Sequence, residues 1–461
     1  MPAAPPFAYV FERFPSFTQT FCVREVMELE RQGIRPWLFS IRDTREEMPR
    51  HFPPDLYERV IFLPAEKVLV EEVKEWKRRN ELPQAIVLTL RHWGERPDKM
   101  RVYEAAWIGR ELTKRGIRHV HSHFAGIGAR TCWWLQEFFD VTYSFTGHAN
   151  DLFCKVDFDL TLDRLMSGAS LVVTVSDYTV ADLRRRFPAS ASKIRRVYNG
   201  LDLAPFQEAA RHREHEAVWN SPEGVLILSV GRLIEKKGFD DLIRACAFLE
   251  RSGRVRAFRC VIVGEGPLEE ELKSLASSLG IANRITLAGP KSQPEIAELL
   301  SQTALFALPC VTEHDGGKDN LPTVLMEAMA AKVACASTIL AGVPEMVQDG
   351  VTGRLAEERQ PEIFGELLAD LLSQPGKTDA MGEAGELRAI RLFAKEKTSR
   401  QLFRLLAAHG LVKVSLPILV RDPILIWGCL RQAMLRLRRL FRFGNRSNPL
   451  EKLGIPGGTG A

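Results

Sequence analysis

No two cysteines of this 461-residue chain stand in a C-x-x-C pair. The eight present (Cys22, Cys132, Cys154, Cys246, Cys260, Cys310, Cys335 and Cys429) are scattered, several within apolar runs such as Phe258 to Val263. That spacing argues against a zinc site or a disulfide framework, and for small buried hydrophobes in a reducing compartment. Apolar runs of the roughly 18 residues that a membrane-spanning helix needs are also missing. The start, Met1-Pro2-Ala3-Ala4-Pro5-Pro6, has neither the basic segment nor the apolar stretch of a secretory leader, so a cytoplasmic protein is expected. A net basic charge is missing from the body, which is near neutral. From Leu411 onward nine Lys/Arg face only Asp422 and Glu451, while the whole chain carries +5. A nucleic-acid-binding enzyme would spread its basic residues along a groove in the body, so nucleic acid is not an expected partner.

What is present is a soluble globular composition, 45% hydrophobic and 26% charged, on a chain long enough for two domains. Strands alternate with helical stretches throughout, which implies parallel sheets. In the first half the expected strands are 7–11, 37–41, 119–121, 142–145, 170–175 and 194–198, with a helix over 20–32. In the second half they are 225–230, 259–264, 284–289 and 304–309, with helices from Gly238 and over 267–279. The reading is α/β, two facing Rossmann-like domains at 1–205 and 221–392, joined by a charged linker at 206–220. Ligand belongs in the crevice at the carboxyl ends of the strands.

Two segments carry chemistry. Asp319 and Glu327 stand eight positions apart, with the apolar, helix-forming run Val324 to Ala330 leading through the second. Pro322 suits a helix's first turn, where no backbone N–H is missed, so Asp319 falls in the loop before it and Glu327 a turn or two inside. Carboxylates around a helix start suit a ligand with both a positive centre and hydroxyls, and a nucleotide-sugar fits. Gly231-Arg232, with Lys237 further on, follows the end of a strand.

Together with Val263-Gly264-Glu265-Gly266-Pro267, Leu287-Ala288-Gly289 and Gly342-Val343-Pro344-Glu345, these segments resemble a GT-B-fold retaining glycosyltransferase of family 4. Within it the chain is most similar to bacterial exopolysaccharide enzymes of the colanic-acid or amylovoran type. The likeness covers about residues 7 to 405. Breaking a sugar–diphosphate bond releases a nucleoside diphosphate whose charge must be stabilised by a metal or by fixed cations. Gly231 lets backbone approach phosphate, Arg232 can bind oxygens bidentately and Lys237 adds a point charge, so no metal is expected. The resemblance assigns Arg232 and Lys237 that role and gives Glu327 the ribose hydroxyls of a UDP- or GDP-linked donor. It places Asp319 near the donor sugar, where the family usually has Glu. Asn320, Leu321, Pro322 and Thr323 fall where the donor is held, Pro322 with no N–H to give. His148 would lie beside the donor sugar with Asp151 nearby, and Asn199-Gly200-Leu201-Asp202 would close the cleft.

Three further signals carry less. Asp157-Phe158-Asp159 matches a D-x-D metal string, but such strings are common by chance and this one follows no clear nucleotide-binding strand. His121 and His123 alternate to one face of a strand, too few for a metal site, and His123 is expected on the acceptor side. Glu313 to Lys318 reads as a glycine-rich loop against the donor sugar. The resemblance implies a crossover helix within 393–410. The tail 411–461 includes a basic amphipathic stretch, Ala433 to Phe443, that suits an anionic membrane surface. The expected function is metal-independent, retaining hexosyl transfer to a glycan or lipid-linked acceptor in surface polysaccharide synthesis. The alternative is a catalytically inactive partner in a membrane-associated polysaccharide assembly.

Overall fold

A computed structural model of the protein describes residues 7–16, 19–47, 52–92, 98–153, 158–412, 422 and 424–425. Two parallel sheets organise the chain. The first holds β1 (Phe7–Arg13), β2 (Trp37–Arg42), β3 (Val60–Phe62), β4 (His119–His123), β5 (Thr142–Gly147), β6 (Leu171–Thr174) and β7 (Ile194–Arg196), in the order β3-β2-β1-β4-β5-β6-β7. The second holds β8 (Val225–Val230), β9 (Phe258–Val263), β10 (Ile285–Leu287), β11 (Thr303–Leu308), β12 (Cys335–Thr338) and β13 (Gly353–Ala356), in the order β10-β9-β8-β11-β12-β13. In each, the order reverses beside the first strand, between β1 and β4 and between β8 and β11. Such switch points open a crevice at the strands' carboxyl ends.

Helices cover both faces of each sheet, and the strand residues show it. All six residues of β8 are buried, as a central parallel strand requires. Along β1, Ala8 and Val10 join one core while Phe7, Tyr9 and Phe11 join another, the period-two alternation of a doubly covered strand. The helix Lys395–Ala408 packs against helix Thr20–Arg31, and its Leu402, Phe403, Leu406 and Ala407 complete the core under Phe7, Tyr9 and Phe11. The last helix of the second half therefore closes a face of the first domain.

The sequence pattern missed three strands: β3, only three residues long, and the two edge-side strands β12 and β13, whose small residues carry little hydrophobic signal. It also placed a linker where structure exists. Residues 206–220 fall largely into the helices Ala204–Arg211 and His215–Trp219. Phe206, Ala209 and Val218 from them are buried in the second domain's core. That sparse apolar stripe was hidden among charged neighbours. The amphipathic run Ala433 to Phe443 lies outside the described residues, as do Asp157 of the D-x-D string and most of the tail. Within the tail, Asp422 accepts two 2.7 Å hydrogen bonds from Arg404, and Leu425 is buried in the first domain's core. Among the described residues no helix is long and apolar enough to cross a membrane.

Candidate active site

The second domain's half of the crevice starts where β8 ends. The chain leaves the sheet through Gly231 and Arg232 and makes a 3-10 turn over Glu235–Lys237. Gly238, at φ +64°, ends that turn and opens helix Phe239–Ser252, and a Cβ there would stand 1.9 Å from the Pro309 carbonyl oxygen. Only glycine fits so close to backbone at a left-handed φ. Gly231 has another use, since a Cβ would meet the Lys237 stem at 3.1 Å. Its bare backbone gives Lys237 room to fold back over the strand end. The segment after β9 braces this loop: Gly231 N–H donates to the Val263 carbonyl and Leu233 N–H to that of Glu265, both at 2.9 Å.

Charge gathers at one point. Lys237 Nζ lies 2.5 Å from Asp319 Oδ2, and Lys236 Nζ lies 3.4 Å from Oδ1. Burial pushes the Asp319 carboxyl up, but Lys237 and then Lys236 outweigh it and hold the group below the usual carboxylate range. In return, burial lowers the Lys237 ammonium while Asp319 raises it by more, so the lysine stays charged. Aspartate, one methylene shorter than the expected glutamate, thus reaches both lysines. Arg232 is exposed and has no ion-pair partner among the described residues. The site therefore holds two lysines neutralised in part by one carboxylate, with one free guanidinium at the rim.

Helix Thr323–Ala330 begins just beyond, with Pro322 as its N-cap rather than inside its first turn. Leu325, Met326, Ala328 and Met329 are buried beneath it, which leaves Glu327 on the half-buried side. Burial raises the Glu327 carboxyl to about 7 even against Arg24, which reaches from the first domain and pulls the other way. Arg24 is itself fixed by donating to the Gly200 carbonyl at 3.2 Å. Leu321 is buried and Thr323 half-buried at the start of the helix.

Asn320, expected to present backbone to sugar hydroxyls, has its side chain committed elsewhere. Its Nδ2 donates to the His148 carbonyl at 2.8 Å and to Thr179 Oγ1 at 2.9 Å, and its Oδ1 accepts from Ser176 at 2.7 Å. These bonds join the two domains. Glu345 adds to them by accepting from the Asp177 and Tyr178 N–H groups at 2.7 Å each, at the start of helix Asp177–Arg186. A carboxylate there satisfies orphan donors and the helix dipole together. These bonds tie the two sides of the crevice together beside Asp319 and Glu327.

In the first domain, His148 follows the end of β5, directly across from Asn320. It is buried and its Nδ1 has no partner among the described residues. Two neighbours differ from expectation. Asp151 accepts backbone N–H bonds from His148, Ala149 and Ala125 at 2.9–3.2 Å, so it shapes the turn that carries His148. His123 is buried behind His148, between it and Glu25, and does not line the acceptor side. His121 has both ring nitrogens on the hydroxyls of Ser144 and Thr146, a structural role. Of the D-x-D string, Phe158 stacks on the Arg130 guanidinium at 3.7 Å. Among the described residues no cluster of His, Cys, Asp or Glu is arranged to hold a metal ion.

Sequence reasoning missed Arg24, Glu25 and Lys236. The signal was there for the first two: the helix after the first strand of a doubly wound sheet starts at the crevice end, so charges in its first turns gather there.

Residues 211–388 match the family described as glycosyl transferases group 1, and residues 18–205 match glycosyltransferase family 4. The chain is 31% identical over 224 residues to the amylovoran biosynthesis glycosyltransferase AmsK of Erwinia amylovora, covering 49% of this chain and 51% of that protein. It is 32% identical over 207 residues to the putative colanic acid biosynthesis glycosyltransferase WcaL of Salmonella typhimurium, covering 45% and 48%. A GDP-mannose-dependent alpha-(1-6)-phosphatidylinositol monomannoside mannosyltransferase of Mycolicibacterium smegmatis is 33% identical over 234 residues, covering 50% and 60%. The matches thus span about half the length of the first two relatives. Among solved structures, a glycosyltransferase from Rickettsia africae superposes with a TM-score of 0.66 at 16% identity, covering 88% of this chain and 98% of that one. Anabaena HepE in complex with UDP gives 0.63 at 15% identity, covering 87% and 99%. At such identities the likeness is one of fold.

Proposed function

The chain belongs to the family 4 glycosyltransferases of GT-B fold, and from that premise we propose that it moves a hexose, with retention, from a nucleotide-sugar to a glycan or lipid-linked acceptor in surface polysaccharide synthesis. The observation that carries this reading is the charge arrangement at the end of β8. Lys237 and Lys236 share Asp319, Arg232 is free, and Glu327 stands one helix turn beyond. In it, Arg232 and Lys237 receive the diphosphate as its charge develops, replacing a metal ion. Glu327 accepts from the ribose diol, for which a carboxylate's two oxygens are suited. Asp319 keeps Lys237 charged and aimed until phosphate arrives. His148, across the crevice, donates to the sugar or the departing oxygen. The relatives named for amylovoran and colanic acid synthesis support the polysaccharide context, and a structural neighbour's complex with UDP supports a nucleotide donor. The basic tail run meets an anionic membrane surface, where a lipid-linked acceptor would reside.

The test is a thermal-shift panel of UDP, GDP, ADP and their common sugar conjugates, with and without EDTA. Ligand that binds only the native state raises its apparent stability. A selective shift that survives EDTA is the expected result. No shift with any of them, or one abolished by EDTA, overturns the metal-independent donor site and brings back the inactive-partner alternative.

A further inference from the structure

Strand β4 carries His119, His121 and His123 on one face. His119 bridges the hydroxyls of Thr142 and Ser144, and His121 those of Ser144 and Thr146, at 2.7–3.0 Å. At the crevice end the ladder changes partners. His123 Nε2 lies 3.0 Å from Glu25 Oε1, and its Nδ1 lies 3.1 Å from His148 Nε2. The Tyr9 hydroxyl donates to the same Glu25 oxygen at 2.6 Å. His123 and His148 are 4% and 7% exposed, and His148 Nδ1 has no partner among the described residues. A chain of three groups thus runs from Glu25 to a buried, unpartnered nitrogen on the residue that follows the crevice end of β5.

We propose that Glu25 and His123 are positioning residues that fix the tautomer of His148. Ionised Glu25 keeps a hydrogen on His123 Nε2, His123 donates its Nδ1 hydrogen to His148 Nε2, and neutral His148 must then carry its own hydrogen on Nδ1. The histidine at the crevice is thereby a hydrogen-bond donor. Its use toward a sugar hydroxyl or a departing phosphate oxygen rests on the function proposed above; the tautomer itself does not.

The alternative arrangement has one proton fewer. If His123 is neutral and gives its single hydrogen to Glu25, its Nδ1 becomes an acceptor, His148 Nε2 must donate, and the crevice nitrogen presents a lone pair. The surroundings favour the first arrangement. Burial lowers the His123 imidazole, but the Glu25 carboxylate, 3.0 Å from its Nε2, raises it above its ordinary value and favours the charged ring. Burial, and then the charge on His123, hold His148 well below its ordinary value and so neutral. The other titratable groups facing the pair are Tyr9 on β1, Cys22 on helix Thr20–Arg31, His121 on β4 and Asp151 below the turn. Burial keeps Tyr9 and Cys22 protonated and His121 neutral, and Asp151 is spent on backbone N–H groups.

The experiment is a two-bond proton–nitrogen correlation spectrum of the full chain labelled with 15N-histidine, with His123→Gln and His148→Gln for assignment. Expected at pH 7 are two protonated nitrogens on His123, and on His148 a protonated Nδ1 with a bare Nε2. In Glu25→Gln, which keeps the shape and an acceptor oxygen, the His123 midpoint should fall by at least about one pH unit and the His148 pattern should reverse. A purely structural role for Glu25 would lower stability without reversing the tautomer. Hydrogen on His148 Nε2 in the wild type, or a pattern indifferent to Glu25→Gln, overturns the proposal. Should that variant fail to fold, a wild-type titration through pH 10 reads the same reversal as His123 loses its charge. Adding uridine diphosphate or guanosine diphosphate answers the separate question. Histidine signals that ignore both nucleotides would count against the donor site while leaving the tautomer result standing.

Discussion

Replacing Asp319 by asparagine should tighten binding of the nucleoside diphosphate while slowing transfer. Asp319 holds Lys237 at 2.5 Å and Lys236 at 3.4 Å. A phosphate oxygen bonded to Lys237 would lie roughly 4–5 Å from the carboxylate. At an effective dielectric constant near 20, two unit charges at that range repel by about 3–4 kcal/mol. Part of this returns, because the lysines lose the partner that keeps them charged and ordered in a buried position. A net gain of about 2 kcal/mol, close to thirtyfold in affinity, is the expected size. The stability change runs the other way. The two side chains are 13% and 16% exposed, and removing one member of a buried pair costs about 3–5 kcal/mol when nothing replaces it. Here two positive charges lose one negative, though an amide oxygen still accepts, so about 2 kcal/mol is expected. Calorimetric titration with UDP or GDP, whichever the wild type binds, reads the first effect, and thermal unfolding without nucleotide reads the second. Equal or weaker nucleotide binding by Asp319→Asn would refute the view that this carboxylate competes with phosphate for Lys237.

Glu327→Gln should raise thermal stability above neutral pH while abolishing nucleotide affinity. The folded-state carboxyl, raised from 4.5 to about 7 by burial, contributes stability that is present below its unfolded value and lost as pH rises through 7. The stability difference between variant and wild type should therefore widen from pH 5 to pH 9, and one constant with pH would refute it. By the same shift, nucleotide binding that needs the carboxylate form should strengthen as pH rises through 7, with proton release visible by calorimetry in buffers of different ionisation enthalpy. Asn320→Ala should loosen domain closure by about 2–3 kcal/mol, since it orphans buried partners in Ser176, Thr179 and the His148 carbonyl. Small-angle scattering should show a larger radius of gyration, and an unchanged one would refute the latch. Deleting residues 426–461 should release the protein from anionic vesicles without loss of stability, because the cut spares Asp422 and Leu425, which pack on the body. Unchanged vesicle binding would refute the tail's assignment.

The sequence makes legible whatever is both local and strongly patterned. Val225 to Val230 is apolar at every position but Ser229, and it is the central strand of its sheet. The apolar neighbours of Glu327 announced a helix with one polar member, and that helix is there. Weak patterns were lost for the opposite reason: β12 is Cys335-Ala336-Ser337-Thr338, and its burial comes from position in the sheet rather than side-chain size. The charged stretch at 206–220 hid two helices because only three apolar positions, Phe206, Ala209 and Val218, reach the core from them.

Partnerships across the fold are a different limit. Glu25, His123 and His148 are spaced by 98 and 25 positions, yet touch in a row at 3.0 and 3.1 Å. Asn320 meets His148 across 172 positions. The family resemblance marked His148 and Asp319 as candidates, one closing a readable strand and the other preceding a readable helix. It could not say that Asp319 guards a lysine, or that Asn320 looks away from the sugar to the opposite domain. Those roles come from which strand ends the two switch points bring together. Since Asn320 binds the carbonyl of the residue that β4 and Glu25 orient, domain closure and the protonation of His148 act on one turn of backbone. A ligand that needs the crevice open must therefore work against the Asn320 bonds, while the row from Glu25 through His123 already fixes the hydrogen that His148 offers it.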